Sequence, residues 1–313
     1  MKIGIALSSE DHGPAELVRQ ARLAEEHGFD RVWVSDHFHP WTTTQGHSPF
    51  VWSVIGGIAA TTQLRVGTGV TCPTVRIHPA IIAQAAATSA VMAQGRFFLG
   101  VGSGEALNEH ILGDAWPAAD IRLEMLEEAV EVMRLLWQGG SQSHYGKHYS
   151  VENAQIFDLP DGPIPVYVSA FGSKAAEVAA RIGDGYVGTA QDAELLSDYD
   201  SAGGKGPRIA GAKCAYASDA EQGRRLVYEL WPNMGLPGEL AQILPTPAHF
   251  EQATELVTED VGDSVPTGRD AQDYVTSIKE YAEAGYDELY LHNIGPHYEE
   301  FVRFLSGEVL PAL

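Results

Sequence analysis

Residues 64–101 read LRVGTGVTCPTVRIHPAIIAQAAATSAVMAQGRFFLGV, and this stretch predicts one repeat of an α/β fold. A short apolar run over Leu64–Val70 is followed by an alanine-rich helical segment over Pro79–Met92 and by a second apolar run over Arg96–Val101. Strands that alternate with helical segments in this way predict parallel strands joined by crossover helices. Both runs are largely apolar, as expected of parallel strands in a sheet that is covered on both faces.

The same alternation continues in both directions from this stretch. Further strands are predicted over Lys2–Leu7, Asp30–Ser35, Ile164–Ser169, Gly185–Gly188, Arg208–Tyr216 and Glu288–His292. Further helices are predicted over residues 14–27, Phe50–Thr61, Ala118–Trp137, Ser173–Ile182, Asp219–Leu230, Arg269–Ala284 and Tyr298–Leu305. Eight β/α units predict a closed (β/α)8 barrel, the TIM-barrel fold. An open doubly wound sheet is disfavoured, because no glycine-rich dinucleotide fingerprint follows the first strand.

Three segments interrupt the alternation within what we interpret as a single domain over residues 1–313. Residues 139–160 contain an alternating aromatic stretch, which predicts an inserted β-hairpin. Residues 231–267 are polar, rich in proline and irregular. Because a long loop inside a compact domain usually serves a function, we expect this segment to form a lid over the barrel mouth. Residues 198–206 are predicted to form a flexible surface loop.

The composition is that of an ordinary globular protein with a strong negative charge. Hydrophobic residues make up 44% of the 313 residues, and 42 acidic against 20 basic side chains give a formal net charge of −22. This charge repels nucleic acid and anionic membranes, so we expect neither as a partner. No apolar stretch approaches the roughly 18 residues of a membrane span, and two cysteines cannot form a disulfide framework. The chain is therefore predicted to be cytoplasmic.

The densest group of polar side chains follows the second predicted strand. Asp36, His37, His39, Trp41 and His47 fall within twelve residues. The active site of a (β/α)8 barrel lies at the carboxyl ends of its strands, and a histidine beside a carboxylate is a common general base. We favour this role for His37 over that of a structural histidine capping the strand. A metal site is disfavoured, because histidines one residue apart on an extended segment point to opposite faces.

Two turns rich in small residues predict a ligand with a flat part and an anionic part. The turn 102–105 (Gly-Ser-Gly-Glu) follows the fourth strand and would let a flat ligand approach the backbone closely, while Glu105 could exchange a proton. Ser173 and its small neighbours lie at a predicted helix N-terminus, where backbone amides bind phosphate. The residues alone thus predict a barrel enzyme for a flat, phosphate-bearing ligand, with Trp41 as a pocket wall.

Several longer strings resemble one known family over nearly the whole chain. They are Ser35-Asp36-His37-Phe38 with Trp41, Gly67-Thr68-Gly69-Val70-Thr71-Cys72-Pro73-Thr74, His78-Pro79-Ala80, residues 95–102, Ser103-Gly104-Glu105-Ala106-Leu107-Asn108-Glu109, and Gly183-Asp184-Gly185. Together they resemble the bacterial luciferase-like superfamily, and within it the oxidoreductases that depend on the deazaflavin coenzyme F420, on the glucose-6-phosphate dehydrogenase branch.

This resemblance implies a luciferase-like (β/α)8 barrel, a homodimer, and a non-proline cis peptide that would here be Gly69–Val70. It implies His37 as the base, Trp41 and Glu105 as groups that assist hydride transfer, and Glu10 and Lys213 as pocket residues. The positions that match cofactor contacts of the family are Asp36, Gly69, Val70, Ser103, Gly104, Glu105, Asn108, Ala170, Gly172 and Thr189; the phosphate site predicted above adds Ser173.

One departure from the family pattern concerns the substrate. In the sugar-phosphate enzymes a lysine that helps to hold the substrate phosphate follows the strand-six threonine by three residues, and here Asp192 follows Thr189 at that spacing. The expected lid is also acidic, with Glu251, Glu255, Glu259, Asp260 and Asp263. Because like charges in a cleft repel, we expect that Asp192 lines the substrate pocket and that the substrate is not a sugar phosphate.

The resulting prediction is an F420-dependent oxidoreductase that transfers a hydride between an alcohol or hemiacetal and C5 of the deazaflavin. The partner is then a small-molecule substrate, and no metal is expected. Two alternatives stay open at this point: an FMN-dependent luciferase-like monooxygenase on the same barrel, and a barrel that only binds a flavin without catalysis.

Overall fold

The central element of the computed structural model, which describes residues 1–313, is a closed barrel of eight parallel strands. The ten strands of the chain are β1 (Lys2–Leu7), β2 (Arg31–Val34), β3 (Arg65–Thr68), β4 (Phe97–Val101), β5 (Gln142–Tyr145), β6 (Ser150–Ala154), β7 (Val166–Ser169), β8 (Gly185–Gly188), β9 (Arg208–Cys214) and β10 (Glu288–Asn293). Around the barrel the order is β1, β10, β9, β8, β7, β4, β3, β2. β1 closes the barrel by pairing with both β2 and β10.

Helices surround the barrel and confirm the predicted (β/α)8 architecture. They are α1 (Pro14–Glu26), α2 (Val51–Thr61), α3 (Pro79–Met92), α4 (Ala106–Glu109), α5 (Ala119–Leu136), α6 (Ser173–Ile182), α7 (Ala193–Ser201), α8 (Ala220–Leu230), α9 (Leu240–Ile243), α10 (Pro247–Thr254), α11 (Ala271–Ala284) and α12 (Tyr298–Phe304). α1 has the residues that are typical of helix ends: Pro14 is its first residue, and Gly28 follows its end at φ +89°. None of the helices is long and apolar enough to cross a membrane.

Aromatic side chains fill the barrel interior below the active-site end. Trp33 of β2 stacks on Tyr290 of β10, with ring centroids 4.6 Å apart and planes within 5°. The indole needs glycine on the neighbouring strands, because a Cβ on Gly69 or Gly211 would lie 2.6 Å or 2.5 Å from its atoms. Sequence analysis did not single out Trp33, although it forms the floor on which the functional cavity rests.

The insertions are more ordered than their sequences suggested. β5 and β6 pair antiparallel over the region expected to form a hairpin. Residues 231–267 contain α9, α10 and two 3-10 helices over Pro232–Gly235 and Glu259–Ser264. Phe250 of α10 is fully buried and packs edge-on against Trp41, with ring centroids 5.1 Å apart. The segment therefore contributes Trp231 and Phe250 to a small second hydrophobic core, which also contains Trp41 from the loop after β2.

The predicted surface loop at 198–206 is wrong in its first half. α7 runs through Ser201, and its side chains of Leu196 and Tyr199 are buried against the body of the protein. The turn begins only at Ala202. The helix starts at Asp192, whose carboxylate accepts a hydrogen bond from the backbone N–H of Leu195 at 3.0 Å, as an N-cap residue does.

Candidate active site

A cavity of about 850 Å³ opens at the carboxyl ends of the barrel strands. Its walls come from the residues that directly follow β1, β2, β3, β4, β7 and β8, and from Gly211, Ala212 and Lys213 inside β9, so rigid strands and the short loops after them position most of its side chains. Residues 231–242 of the long insertion line its open side. The segment expected to act as a lid thus contributes part of the wall.

The structure brings fourteen of the sixteen predicted site residues to this cavity. Those that line it are Glu10, Asp36, His37, Trp41, Gly69, Val70, Ser103, Gly104, Glu105, Asn108, Gly172, Ser173, Thr189 and Lys213. Ala170 does not: it is 2% exposed and packs in the hydrophobic core. Asp192 does not either, because its carboxylate turns back to cap α7. The expectation that Asp192 lines the substrate pocket has to be corrected accordingly.

His37 lies between two glutamates that come from different loops. Its Nε2 atom is 3.3 Å from Oε1 of Glu10 and 3.7 Å from Oε2 of Glu105. On the other side of the ring, Nδ1 is 3.1 Å from the carbonyl oxygen of His39. Each ring nitrogen therefore faces an oxygen acceptor, and the ring can hold a proton on either nitrogen.

Asn108 fixes the relative position of His37 and Glu105. Its Oδ1 atom accepts the backbone N–H groups of Phe38 and His39, at 2.8 and 3.2 Å. This assigns the amide orientation, so that Nδ2 donates to Oε2 of Glu105 at 3.0 Å and lies 3.2 Å from Nδ1 of His37. One buried amide thereby ties the loop after β2 to the loop after β4.

The two glutamates have opposite pKa shifts. Burial would raise the pKa of Glu10, but the attraction of His37 in its protonated form and the hydrogen bond from the Ser35 hydroxyl outweigh it, and the pKa lies below the ordinary value. Burial raises the pKa of Glu105; the attraction of His37 opposes this shift, and the negative charge of Glu10 adds to it. Two carboxyl groups whose environments separate their pKa values are suited to different acid–base roles in one reaction.

One wall of the cavity lacks side chains that would keep a planar ligand away. The Gly69–Val70 peptide is cis, as the resemblance implied, and it lies beside Gly102 and Gly104. Gly104 has φ +80°, and a Cβ at this position would clash with Sγ of Cys72. Only glycine fits this turn, and the bare backbone is open to the cavity.

Three backbone N–H groups without an acceptor lie next to this wall, at the start of α6. No protein acceptor takes the backbone N–H groups of Ser173, Lys174 and Ala175, and all three residues line the cavity. Gly172, which precedes them, would have nothing within 4 Å of an added Cβ. A phosphate group could therefore reach the three amides, as at other helix N-termini.

Both carboxylate oxygens of Asp36 already have hydrogen-bond partners in the protein. Its Oδ2 atom accepts the Thr71 hydroxyl at 2.7 Å, and its Oδ1 atom accepts from the guanidinium of Arg76 at 2.9 Å. Arg76 also pairs with Glu109, and this side-chain pair is buried along with Asp36. The triad links the loops after β2, β3 and β4, so Asp36 supports the shape of the cavity wall besides lining it.

Sequence analysis missed a second polar cluster at the cavity, formed by Asp11, Trp231 and His292 beside the predicted pocket residue Lys213. Asp11 lies 3.1 Å from Nε2 of His292 and accepts the indole N–H of Trp231 at 3.0 Å. Lys213 lies over the same indole, with Nζ 4.8 Å from the ring centroid. Burial lowers the pKa of Lys213, and the charges of Glu10, Asp11 and Glu105 oppose that shift. His292 lies near the end of β10, and a single histidine at the end of a strand did not by itself indicate a site residue.

Comparison with known proteins agrees with this geometry. The family model for luciferase-like monooxygenases matches residues 1–288. An F420-dependent glucose-6-phosphate dehydrogenase of Microbacterium testaceum is 36% identical, with 100% of this chain and 97% of the relative covered, and the corresponding protein of Amycolatopsis mediterranei is also 36% identical, with 100% and 98% covered.

Solved structures that resemble this chain also include F420-dependent enzymes. An F420-dependent secondary alcohol dehydrogenase in complex with an F420–acetone adduct superposes with a TM-score of 0.92 at 29% identity, covering 99% of this chain and 98% of that one. An F420-dependent tetrahydromethanopterin reductase of Methanopyrus kandleri gives a TM-score of 0.77 at 20% identity, with 99% of both chains covered, and shares the fold. The chain therefore belongs to the family of luciferase-like monooxygenases.

Proposed function

We propose that this protein is an F420-dependent oxidoreductase acting on a CH–OH group or the corresponding carbonyl. The observation that carries the proposal is the arrangement of His37 between Glu10 and Glu105 at the edge of a glycine-lined wall. The relatives that are similar over the whole chain, and the alcohol dehydrogenase that superposes on it, are named as F420-dependent enzymes. The same type of cofactor would fit the cavity described above.

The fit of the deazaflavin rests on two features of this chain. The backbone around Gly69–Val70 and Gly104 borders the cavity and leaves space for a planar ring system, and a Cβ on Gly104 would clash with Cys72 and shift this turn. The free amides at the start of α6 offer donors for the phosphate that the cofactor carries. When bound, the deazaflavin supplies a carbon atom, C5, that accepts or returns a hydride.

The side chains of the cavity would manage the proton that accompanies the hydride. For oxidation of an alcohol, Nε2 of His37 takes the hydroxyl proton, and the ionised Glu10 stabilises the resulting positive charge from 3.3 Å. Glu105, with its raised pKa, remains protonated to higher pH than an ordinary glutamate and can donate a hydrogen bond to the substrate oxygen while keeping its own proton. Trp41 and the insertion that packs on it exclude water from this side.

The substrate of this site is proposed to be uncharged rather than a sugar phosphate. The original argument from Asp192 fails, since that side chain caps a helix, and the five acidic residues named in the insertion do not line the cavity either. What supports the proposal instead is the surroundings of Lys213, the cation next to the acid–base group. Glu10, Asp11 and Glu105 all act on it, and its ammonium lies over Trp231.

Assays of F420 reduction test both parts of the proposal. We expect hydride transfer with secondary alcohols or unphosphorylated sugars, and no turnover with glucose 6-phosphate. Turnover of glucose 6-phosphate with a micromolar Michaelis constant would keep the enzyme class and refute the uncharged substrate. Failure of F420 to change its absorbance with every alcohol, sugar and sugar phosphate, in either direction, would refute the enzyme class.

We also propose that the protein forms the homodimer that the family resemblance implies. α3 carries three exposed apolar side chains, Ile81 (57%), Val91 (43%) and Met92 (43%). Exposed apolar groups on one helix are common at interfaces between subunits. Light scattering after size-exclusion chromatography should give twice the mass of the chain, and Met92→Glu should shift it toward the monomer.

A further inference from the structure

Arg122 is a buried cation that no carboxylate of the protein neutralises. The residue is 4% exposed and lies on the core-facing side of α5, in line with Leu126, Ala129 and Met133. Its guanidinium donates to two neutral acceptors, the carbonyl oxygen of Pro117 at 2.8 Å and Oε1 of Gln242 at 3.1 Å. It also borders the cavity.

The other two deeply buried arginines show how this chain normally treats such a charge. Arg31 pairs with Asp30 and with Glu288, at 2.7 and 2.8 Å. Arg76 pairs with two carboxylates in the triad described above. In both cases burial would lower the pKa of the guanidinium, and the carboxylates raise it instead.

The pKa of Arg122, in contrast, is lowered from the ordinary value of an arginine. Burial lowers the pKa of its guanidinium, and the distant charge of Glu239, which forms no ion pair with it, does not compensate. The Nε atom of Arg122 has no hydrogen-bond acceptor. Stacking of the guanidinium on Trp116, 4.6 Å from the ring centroid, offsets only part of the cost of burying a charge.

A second donor next to Arg122 also lacks an acceptor. The indole Nε1 atom of Trp116 is buried and makes no hydrogen bond. Two stacked side chains thus hold unused, enclosed N–H groups, and of the two residues only Arg122 lines the cavity. The group that could neutralise Arg122 is an oxyanion in the cavity, since the residue borders the cavity and no carboxylate of the protein pairs with it.

We propose that Arg122 binds an oxyanion of the cavity's ligand, a phosphate or a carboxylate group. The ligand's identity rests on the proposed function, and two sources share this chemistry: the phosphate- and carboxylate-bearing tail of the cofactor, and an acidic group on the substrate, which would refute the uncharged substrate proposed above. Gln242 belongs to α9 in the insertion over residues 231–267. Its hydrogen bond to Arg122 would therefore connect an anion bound by Arg122 to this insertion. The guanidinium is planar and can donate two parallel hydrogen bonds to such a group.

Binding titrations with and without the charged tail test this proposal. Fluorescence titration would compare F420 with the phosphate-free deazariboflavin, in the wild type and in Arg122→Met. Arg134→Met is the matched control, because Arg134 lies on the same helix, is exposed and pairs with Asp184. If the cofactor tail is the source, Arg122→Met raises the Kd of F420 by about 10-fold or more and leaves the Kd of the deazariboflavin unchanged.

The substrate source gives a different pattern. F420 binding would be the same in Arg122→Met and the wild type, and the rise in Tm that glucose 6-phosphate or inorganic phosphate gives the wild type would be lost. Arg122→Gln, which keeps a polar group without the charge, replaces Arg122→Met if the latter does not fold. Unchanged affinity of the variant for F420 and for the phosphorylated ligands would overturn the proposal. A wild type that binds neither deazaflavin would refute the proposed function instead, and phosphate would still test Arg122.

Discussion

Nε2 of His37 lies 3.3 Å from Oε1 of Glu10, and this contact joins the loop after β2 to the loop after β1. Three hydroxyl groups, from Ser8, Ser9 and Ser35, point to the other carboxylate oxygen of Glu10. The hydrogen bonds hold Glu10 in its ionised form without occupying the oxygen that faces the histidine. The pair can therefore accept a proton at His37 while its carboxylate remains charged.

Substitution of His37 should separate catalysis from cofactor binding. His37→Ala is expected to keep the Kd of F420 within a few fold and to lower kcat by about 10²–10⁴, which is the usual contribution of a general base. His47→Ala is the control, because His47 belongs to the same loop and is exposed. A near-normal kcat in His37→Ala would return His37 to the structural role of a strand-capping histidine.

The opposite pKa shifts of Glu10 and Glu105 predict opposite effects on stability as pH changes. The lowered pKa of Glu10 means that its ionised form stabilises the fold above the ordinary value of 4.5, and that this contribution is lost as pH falls through the lower folded-state pKa. The raised pKa of Glu105 means that stability is lost as pH rises from 4.5 through the higher folded-state pKa.

Melting temperatures of two glutamine variants measure these effects. As pH rises from 4.5, the Tm of Glu105→Gln relative to wild type should rise, because the variant lacks the partly buried charge. The relative Tm of Glu10→Gln should fall as pH rises from below the lowered folded-state pKa of Glu10 to the ordinary value of 4.5, and should be flat at higher pH. Differences that do not depend on pH, or that have the same sign in both variants, would contradict the assigned shifts.

The turn at Gly104 should be essential for the cofactor wall. Gly104→Ala forces a Cβ into the space of Cys72 at a backbone angle that disfavours side chains, so we expect a loss of F420 affinity of about 10-fold or more. Gly113→Ala has a similar φ of +89° but nothing within 4 Å of the added Cβ, which makes it the control for backbone strain alone. Equal cofactor affinities in the two variants would show that the turn does not shape the ligand site.

Arg76 should be needed for stability because it neutralises two buried carboxylates. Arg76→Met leaves Asp36 and Glu109 without their counter-ion, and removing one partner of a buried ion pair costs about 3–5 kcal/mol in the free energy of unfolding. Urea unfolding of the apoprotein measures the loss. Asp36→Asn in the Arg76→Met background should recover part of it, and a loss below about 1 kcal/mol in Arg76→Met would mean that water reaches the triad.

The barrel strands could be predicted from the sequence because each is a short, largely apolar run. The residues Val32, Val66 and Leu99 at the centres of three such runs are fully buried in the barrel, as their composition required. α7 was missed because it places only Leu196 and Tyr199 against the core and is otherwise polar. Its start did carry a signal, since aspartate is a preferred N-cap residue and Asp192 directly precedes the helix.

Site residues were predicted correctly where their position after a barrel strand is enough to bring them to the cavity. The prediction was wrong where the direction of the side chain determines whether the residue reaches the cavity. His37 and Glu105 follow strands of the barrel, so topology brings them together. Asp192 occupies a comparable place after β8, but its short side chain bonds its own helix, which spacing cannot reveal. Arg122 had a signal that could have been used: it is a charged residue in line with the apolar face of α5.

The choice of cofactor is the central claim, and a side-by-side titration tests it most directly. The protein, purified without flavin, would be titrated with F420 and with FMN under identical conditions, with quenching of intrinsic tryptophan fluorescence as the signal. The account predicts that F420 binds clearly more tightly than FMN. FMN binding that is equal to or tighter than that of F420 would contradict it and would favour an FMN-dependent monooxygenase on the same barrel.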